Sequence, residues 1–281
     1  MEFESEDLSS ASLEERLRDG GPHVFRECDL TQADLRGLSL FEAVFEACVL
    51  GRADFRRADL DGARFSGGGG SGVRFEDAEL VDAVFTDVDL TSAKFGNALL
   101  TDAVFTGCRM IGAVLSGCRG TGYRFTGGNL TLADLTGCTL RGEMIEDVRL
   151  DEANLSGCDF TKAVFLRSRL IGTRLVETRF EGADLRGADL GEVDDTRLRA
   201  LRGAVLSAEQ AARILGERGL TVLKCRQVQK IILITVGYAL VTLGYSIGMQ
   251  LTLRSTDGRS GGQGRVWWPS GLRRGRPASN R

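Results

Sequence analysis

The chain has 281 residues, of which 42% are hydrophobic and 27% are charged, and its formal net charge at pH 7 is −3. This apolar content is enough for a continuous core and excludes a disordered chain. The sequence has one histidine and no Cys-x-x-Cys pair, so it lacks the usual patterns of zinc sites and of Cys/His or Ser/His catalysis. We therefore expect a protein that is not an enzyme and has no metal site or cofactor.

Residues 1–22 form an acidic first segment. Two interpretations fit it: a cap on the open end of the structure that follows, with a short helix at residues 13–18, or a solvated acidic tail. The segment has no signal-peptide pattern, so we expect a cytoplasmic location and reduced cysteines. Its acidic residues are Glu2, Glu4, Glu6, Asp7, Glu14 and Glu15.

Residues 23–192 carry a five-residue repeat. From Phe25 to Leu190, 32 of the 34 positions numbered in multiples of five hold Leu, Phe, Met or Ile, and only Gly70 and Gly120 depart from this rule. Two residues earlier in each unit, 22 of 34 positions are Ala or Cys. A period of five fits neither an α-helix nor an ordinary strand, and it indicates a repeat architecture. The sequence therefore predicts an all-β solenoid.

A second period of 20 residues shows how the units stack. Four units make one coil of a square rod, in which equivalent residues of successive coils lie about 4.8 Å apart. We expect phenylalanines to stack inside the rod and the small residues to fill its corners. Only Ile145 interrupts the phenylalanine series, which comprises Phe25, Phe45, Phe65, Phe85, Phe105, Phe125 and Phe165.

These units resemble the repeats of the pentapeptide-repeat family. Thr31-Gln-Ala-Asp-Leu35 and Glu181-Gly-Ala-Asp-Leu185 show the pattern, and the resemblance covers residues 25–190. It implies a right-handed quadrilateral β-helix.

Two stretches depart from the pattern. The run of glycines in residues 66–72 replaces one unit without changing the five-residue spacing of the units around it. We expect it to loosen one side of the rod or to form a small protruding loop. A phosphate-binding loop is the alternative, although no Gly-Lys-Ser/Thr follows. Residues 120–128, with Tyr123 and then Glu143 in the small slot, predict a bulged side or a kink.

Six of the seven cysteines and the histidine lie in the small slots. His23 indicates an imperfect first corner rather than a catalytic base. Buried free cysteines behave as small apolar residues, so we interpret those of the repeat as corner fillers. The six are Cys28, Cys48, Cys108, Cys118, Cys138 and Cys158.

Residues 193–221 follow the repeat and contain a predicted helix that caps the rod. Ser207 and Gln210 form a capping box, and Gly219 stands where a helix ends. We expect a homodimer interface on the apolar stripe of this helix, which comprises Ala208, Ala211, Ala212 and Leu215.

This C-terminal part resembles the MfpA-like and Qnr-like branch of the family. The similar stretches are Arg202-Gly-Ala-Val-Leu-Ser-Ala-Glu-Gln210 with Gly219-Leu-Thr-Val222, Gly107-Cys-Arg-Met-Ile-Gly-Ala-Val-Leu-Ser-Gly-Cys-Arg119 and Leu130-Thr-Leu-Ala-Asp-Leu135. The resemblance implies a dimeric acidic rod that imitates duplex DNA, occupies the DNA-binding saddle of DNA gyrase and lessens the effect of fluoroquinolones.

Residues 222–281 go beyond that branch, whose members end close to the helix. Residues 231–253 have no charged residue and are long enough to cross a bilayer. The tail therefore reads either as a membrane anchor or as a disordered or non-native extension.

Charge is distributed unevenly along the chain. Residues 1–105 have 22 acidic and 10 basic residues, residues 106–221 have 16 of each, and residues 222–281 have one acidic and ten basic residues. The negative field of the first part would repel nucleic acid and attract a basic, DNA-binding groove. The proposed partner-binding residues are Glu76, Asp77, Glu79, Asp82, Asp87, Asp89 and Asp102.

Two functions therefore stay open. One is a gyrase-binding mimic of DNA that does not itself bind nucleic acid. The other is a general protein-interaction scaffold, with or without a membrane anchor, because a fold does not determine a function.

Overall fold

The computed structural model describes residues 1–17 and 22–223, and over these residues the chain forms a solenoid of short parallel strands followed by two helices. The helices are α1 (Asp195–Ala200) and α2 (Ala208–Gly216). The strands are β1 (Glu2–Glu4), β2 (Val24–Arg26), β3 (Val44–Glu46), β4 (Arg64–Ser66), β5 (Val84–Thr86), β6 (Val104–Thr106), β7 (Arg124–Thr126), β8 (Met144–Glu146), β9 (Val164–Arg169) and β10 (Asp184–Asp189).

Each coil has four sides. The ten strands pair in chain order in one parallel sheet, and from β2 to β9 each paired residue lies opposite the residue 20 positions later, as Phe25 does with Phe45. Between β9 and β10 the register shifts, and Leu166 pairs with Gly187. Three further ladders of single bridges pass through Asp29, Asp34 and Ser39 and follow the same step from these residues onward. We number the sides in chain order, so that in the coil 23–42 side 1 is 23–27, side 2 is 28–32, side 3 is 33–37 and side 4 is 38–42. The predicted all-β quadrilateral solenoid is confirmed.

Phenylalanine rings fill the interior, as the 20-residue period predicts. The rings of Phe25, Phe45 and Phe65 stack with centroids 4.9 and 4.5 Å apart and with interplanar angles of 3° and 5°. A second column on side 3 contains Phe55 and Phe75, 5.1 Å apart. Rings of the two columns meet edge to face, which is a favourable geometry for aromatic pairs, and together they form one continuous core.

The corners are made by residues in the left-handed region of backbone conformation. From Phe25 to Phe180, the residue two places after each large apolar residue has a positive φ, as in Glu27 (53°), Gln32 (57°) and Glu42 (53°). Gly, Asn and Asp adopt this conformation most readily. The backbone therefore favours Asp at a corner, apart from any role of its charge.

The N-terminal segment is an additional coil of the rod. β1 pairs with β2 in register, with Phe3 opposite Phe25, so the step here is 22 residues instead of 20. The helix predicted at residues 13–18 is wrong for the described residues, because Leu13 and Leu17 close only a single turn. The guanidinium of Arg16 lies 4.8 Å from the centroid of the Phe3 ring. This turn therefore covers the end of the core.

The glycine run does not protrude, so the predicted loosening is wrong. The amide of Gly69 donates to the carbonyl of Cys48 at 2.8 Å, and the amide of Gly70 donates to the carbonyl of Asp89 at 2.7 Å. A Cβ atom at Gly68 would lie 2.3 Å from the carbonyl oxygen of Cys48. The glycines therefore let neighbouring backbones approach closely within an unbroken ladder.

The second stretch that departs from the repeat pattern, residues 120–128, interrupts the ladder of bridges on side 4. The amides of Arg119 and Asp159 donate to carbonyls of the preceding coil, whereas the amide of Thr139 donates to the hydroxyl of Tyr123 at 2.9 Å. Tyr123 is buried although it occupies a small slot, and Gly120 has no side chain in the large slot beside it. The tyrosine therefore fills the space that Gly120 leaves and replaces a backbone carbonyl as the acceptor.

α2 closes the C-terminal end of the rod. Its capping box between Ser207 and Gln210 is present as predicted. The side-chain amide of Gln210 donates to the carbonyls of Leu185 and Ala188, both at 2.8 Å, and Ile214 is buried against the core. Residues 203–205 pair with only part of the last coil, and the side chain of Gln210 satisfies two further carbonyls of that coil.

Residues 231–253 lie outside the described residues, so the membrane-anchor hypothesis stays a hypothesis. Among the described residues, no helix is long and apolar enough to cross a membrane.

We predict that replacing Phe85 by Ala lowers the free energy of unfolding of the full chain by about 3 to 5 kcal/mol, because the ring is buried between two stacked neighbours. Asp82→Asn is the control, since it changes an exposed corner by about 0.5 kcal/mol or less. Urea denaturation measures both. Equal losses of unfolding free energy in the two variants would contradict the assignment of Phe85 to the core and of Asp82 to the surface.

We predict that Gly120 and Tyr123 depend on each other. Tyr123→Ala leaves a cavity and should lower the free energy of unfolding by about 3 kcal/mol. Gly120→Leu is destabilising too, because a Cβ atom there would lie 2.7 Å from the amide nitrogen of Thr101 at a φ of 96°. The double variant restores the ordinary repeat and should lose less than the sum of the two. Additive losses in urea denaturation would show that Tyr123 does not replace the missing side chain.

Candidate protein-binding surface

The seven predicted partner-binding residues lie on all four sides of the rod. Glu76 and Asp77 are on side 3, Asp87 is at the corner that ends side 1, and Asp89 is on side 2, as their places in the 20-residue register show. The remaining three are on side 4 and comprise Glu79, Asp82 and Asp102. The structure therefore does not bring the seven carboxylates to one surface.

Two of the seven are neutralised within the rod. Glu76 pairs with Arg74 at 3.3 Å, and Asp89 lies 3.8 Å from Arg109. Asp89 also accepts hydrogen bonds from the amide and the hydroxyl of Thr91 at 3.0 and 2.6 Å. These carboxylates have structural partners, so their charge is only partly available to a binding partner.

The other five are exposed and have no basic partner among residues 1–17 and 22–223. Four of them occupy left-handed corners, with φ between 55° and 61°. Their backbone conformation explains why a short polar side chain is present, but it does not require a negative charge, because Asn97 and Ser92 adopt the same conformation. The five are Asp77, Glu79, Asp82, Asp87 and Asp102.

Side 4 of the first half of the rod concentrates negative charge more than the other sides do. In residues 38–42, 58–62, 78–82 and 98–102 it has six carboxylates and no Lys or Arg. Carboxylate oxygens of Asp59, Asp61 and Glu79 lie within 4.8 Å of one another. We call this surface the side-4 strip. Its carboxylates are Glu42, Asp59, Asp61, Glu79, Asp82 and Asp102.

Three of these six, Glu42, Asp59 and Asp61, were not in the sequence prediction. Aligning the sequence in rows of 20 residues would have placed Glu42 in the column of Asp82, Asp59 in the column of Glu79, and Asp61 in a column between these two. The sequence therefore did indicate this cluster of carboxylates, but only when charged residues are counted for each side of the rod instead of along the chain.

Side 3 of the same coils is different. It has five basic residues among its acidic ones, and three of the five, Arg36, Arg56 and Arg74, form ion pairs with carboxylates of this side. Arg36 pairs with Asp34 and Arg56 with Asp54, both at 2.6 Å. The pKa of Asp34 is lowered, chiefly by its hydrogen bond with Arg36. The negative field is thus strongest on one side of the rod.

The second half of the rod balances its charges locally. Asp159 is buried and pairs with Arg141 at 2.8 Å and with Arg179 at 2.9 Å. Burial raises the pKa of Asp159, but hydrogen bonds from Thr161 and the two arginines outweigh burial and hold the pKa well below its usual value. This carboxylate belongs to the structure of the rod.

The cysteines pack inward, as the small-slot pattern predicts. Of the six in the repeat, only Cys118 is partly exposed. The thiol of Cys158 donates to the carbonyl of Leu135 at 3.0 Å, and burial raises the pKa of Cys48 and Cys108 to about 11. Neutral, hydrogen-bonded thiols of this kind are poor nucleophiles.

His23 is buried in its small slot, and burial lowers its pKa. Both of its ring nitrogens lack a hydrogen-bond partner in the described part of the chain. A base needs a neighbour with which it exchanges a proton, so this position fits the imperfect corner that the sequence predicts.

The four residues of the predicted dimer stripe lie on one face of α2. Gln210 and Ile214 face the rod and are buried, whereas Ala208 and Leu215 are exposed. Ala211 and Ala212 are half-buried. The stripe is thus turned away from the buried face of the helix.

Comparison with known proteins agrees with this architecture. A family model described as a pentapeptide repeat region matches residues 38–112, and a model of pentapeptide repeats matches residues 103–142, 149–187 and 163–194. The chain belongs to the pentapeptide-repeat family. No curated protein matches the sequence.

Two solved structures of QnrB1 share the fold, and a third solved structure, that of HetL, matches with a low TM-score. A trypsin-treated form of QnrB1, a plasmid-mediated fluoroquinolone resistance protein, is 24% identical, with a TM-score of 0.57, and the match covers 72% of this chain and 100% of that chain. Full-length QnrB1 is 20% identical, with a TM-score of 0.53 and coverage of 78% and 100%. HetL, from the cyanobacterium Nostoc, is 22% identical, with a TM-score of 0.31 and coverage of 67% and 86%. At these identities, the similarity to QnrB1 concerns the fold.

Proposed function

We propose that this pentapeptide-repeat protein is not an enzyme and that it binds DNA gyrase through an acidic surface that imitates duplex DNA. Binding would modulate supercoiling and the susceptibility of the cell to fluoroquinolones. The observation that carries the proposal is the set of five predicted carboxylates that are exposed without a basic partner in the described coils. The fold of QnrB1, a fluoroquinolone resistance protein, also supports it.

The physical basis is electrostatic complementarity. A groove that binds DNA is basic because it neutralises phosphates. An acidic rod is attracted to the same groove, and its field increases the rate of association. The same field repels nucleic acid, so we expect no direct binding of DNA. A gyrase partner also places the rod in the cytoplasm.

A general interaction scaffold is the alternative function. The observation that favours it is the local neutralisation of charge in the second half of the rod, where Asp159 lies between two arginines. A rod that imitated DNA along its whole length would carry unpaired negative charge there as well. Residues 231–253 would then supply the membrane anchor of the scaffold.

We predict that the full chain inhibits supercoiling by gyrase without binding DNA. Changing Asp82, Asp87, Asp89 and Asp102 together to Asn should weaken inhibition by roughly tenfold, since the three exposed charges and that of the half-buried Asp89 contribute a few tenths of a kcal/mol each. A gel assay of plasmid supercoiling measures inhibition, and circular dichroism verifies that the variant is folded. Inhibition should also fall as salt is raised, because the attraction is screened over about 8 Å at physiological ionic strength.

Two results would oppose this function. Absence of inhibition by micromolar full chain would remove the gyrase proposal and leave the scaffold. Inhibition that persists unchanged in the folded Asn variant would show that the predicted carboxylates do not make the contact.

We also propose a homodimer through the stripe of α2, because Ala208 and Leu215 are apolar and exposed at the end of the rod. Two rods joined there would span a basic saddle better than one rod. Dimerisation is separate from the charge proposal, and its test is the mass of the protein in solution.

We predict that Ala212→Glu with Leu215→Glu halves the mass of the full chain measured by light scattering and reduces inhibition of gyrase. Buried like charges would oppose association at this contact. Thr196→Glu, on the exposed surface of α1, is the matched control and should leave the mass unchanged. A wild-type chain that is monomeric at micromolar concentration would refute the dimer.

A further inference from the structure

We infer that the contact with the partner is made by one side of the rod, the side-4 strip, and that it is partly apolar. This inference rests on the proposed function and goes beyond it, because it identifies which surface of the rod contacts the partner. It also adds apolar residues to the contact, which a mimic of the DNA phosphates would not need. The expected occupant is a basic protein surface with an apolar depression.

The first argument is the distribution of charge around the rod. The side-4 strip has six carboxylates and no basic residue over four coils. Side 3 of these coils pairs two of its four acidic residues, Asp34 and Asp54, with arginines at 2.6 Å. The field outside the first half is therefore directional, and a basic partner is attracted most strongly to side 4.

The second argument is that the rod does not neutralise the side-4 strip. Carboxylate oxygens of Asp59, Asp61 and Glu79 lie within 4.8 Å of one another. No Lys or Arg forms an ion pair with Asp82 or Asp102 within the described coils. Like charges at this separation repel one another, and the fold gains no ion pair from them. A basic partner would remove the repulsion.

The third argument is the apolar surface among these carboxylates. Phe41 is 53% exposed, and Val81 and Leu99 are partly exposed on the same side. Everywhere else in the described coils, the phenylalanines are buried. Phosphate groups have no counterpart to an exposed aromatic ring, whereas partially buried aromatic anchors are typical of protein interfaces. Phe41 therefore points to a protein partner that offers both bases and an apolar depression.

The fourth argument is the shape of the strip. Bridges join Ser39, Asp59, Glu79 and Leu99 in an unbroken ladder, so the surface is a flat sheet face of four coils. It spans roughly 14 Å along the rod at about 4.8 Å per coil. The next bridged residue is Arg119, and the ladder then breaks at Tyr123. The strip therefore ends at a change of charge, one coil before the ladder breaks.

The test compares two triple variants of the full chain that remove the same charge from equivalent corners. The first is Glu42→Gln, Asp82→Asn and Asp102→Asn, all on side 4. The control is Glu27→Gln, Glu152→Gln and Glu177→Gln, one on each of the other sides. All six residues have φ between 53° and 58°, and neutral amides are compatible with such corners, as Gln32 and Asn97 show.

We expect the side-4 variant to bind immobilised gyrase at least tenfold more weakly than the wild type, and the control to change affinity less than twofold. Phe41→Ser should also weaken binding several-fold while leaving the salt dependence of the affinity unchanged, because it removes apolar contact and no charge. Urea denaturation verifies that each variant is as stable as the wild type.

The outcomes separate the two proposals. Equal weakening by both triple variants would mean that the field of the whole rod acts, which overturns the one-sided contact and retains gyrase binding. Unchanged binding by Phe41→Ser would overturn the apolar part. If the chain binds calcium through Asp59, and if calcium displaces gyrase, the carboxylates would be assigned to a cation site instead. No binding of gyrase by the wild type would overturn the proposed function and this inference with it.

Discussion

The structure depends on one constraint, which is that every fifth residue must enter a core of constant cross-section. A large apolar side chain from each unit stacks on the equivalent one 20 residues later, as Phe25 does on Phe45 at 4.9 Å. The residue two places after it turns the corner with a positive φ. Because this unit is complete within five residues, stability adds up coil by coil, and a local fault can be repaired locally.

Tyr123 and the glycine run show two ways in which the rod accommodates units that depart from the repeat pattern. At Gly120 the large side chain is missing, and a neighbouring side chain fills the space and accepts the hydrogen bond of Thr139. In residues 66–72 the side chains are missing but the count is kept, so adjacent backbones approach each other and the ladder continues. In both places the core remains closed, because the coils on either side hold the register.

The same constraint leaves the surface free to vary. Three of the five residues of a unit face outward or form a corner, and none of them is needed by the core. Charge can therefore differ between sides without any change in fold. Arginine pairs with aspartate on side 3, whereas carboxylates without basic partners surround Phe41 on side 4. Function in such a rod resides in this outward pattern, and two rods of the same fold need not share a partner.

The sequence by itself determined the solenoid, the stacking of phenylalanines and the cap at Ser207, because each depends on residues at a fixed local spacing. It did not show that Phe3 belongs to the rod, since the first coil is offset from the later ones by two residues. The grouping of Asp59, Asp61 and Glu79 was also missed, because charge was counted along the chain, whereas the distances among these carboxylates depend on the stacking of coils. Tertiary structure decided these points, since residues 20 positions apart become neighbours only after the chain has wound into its coils.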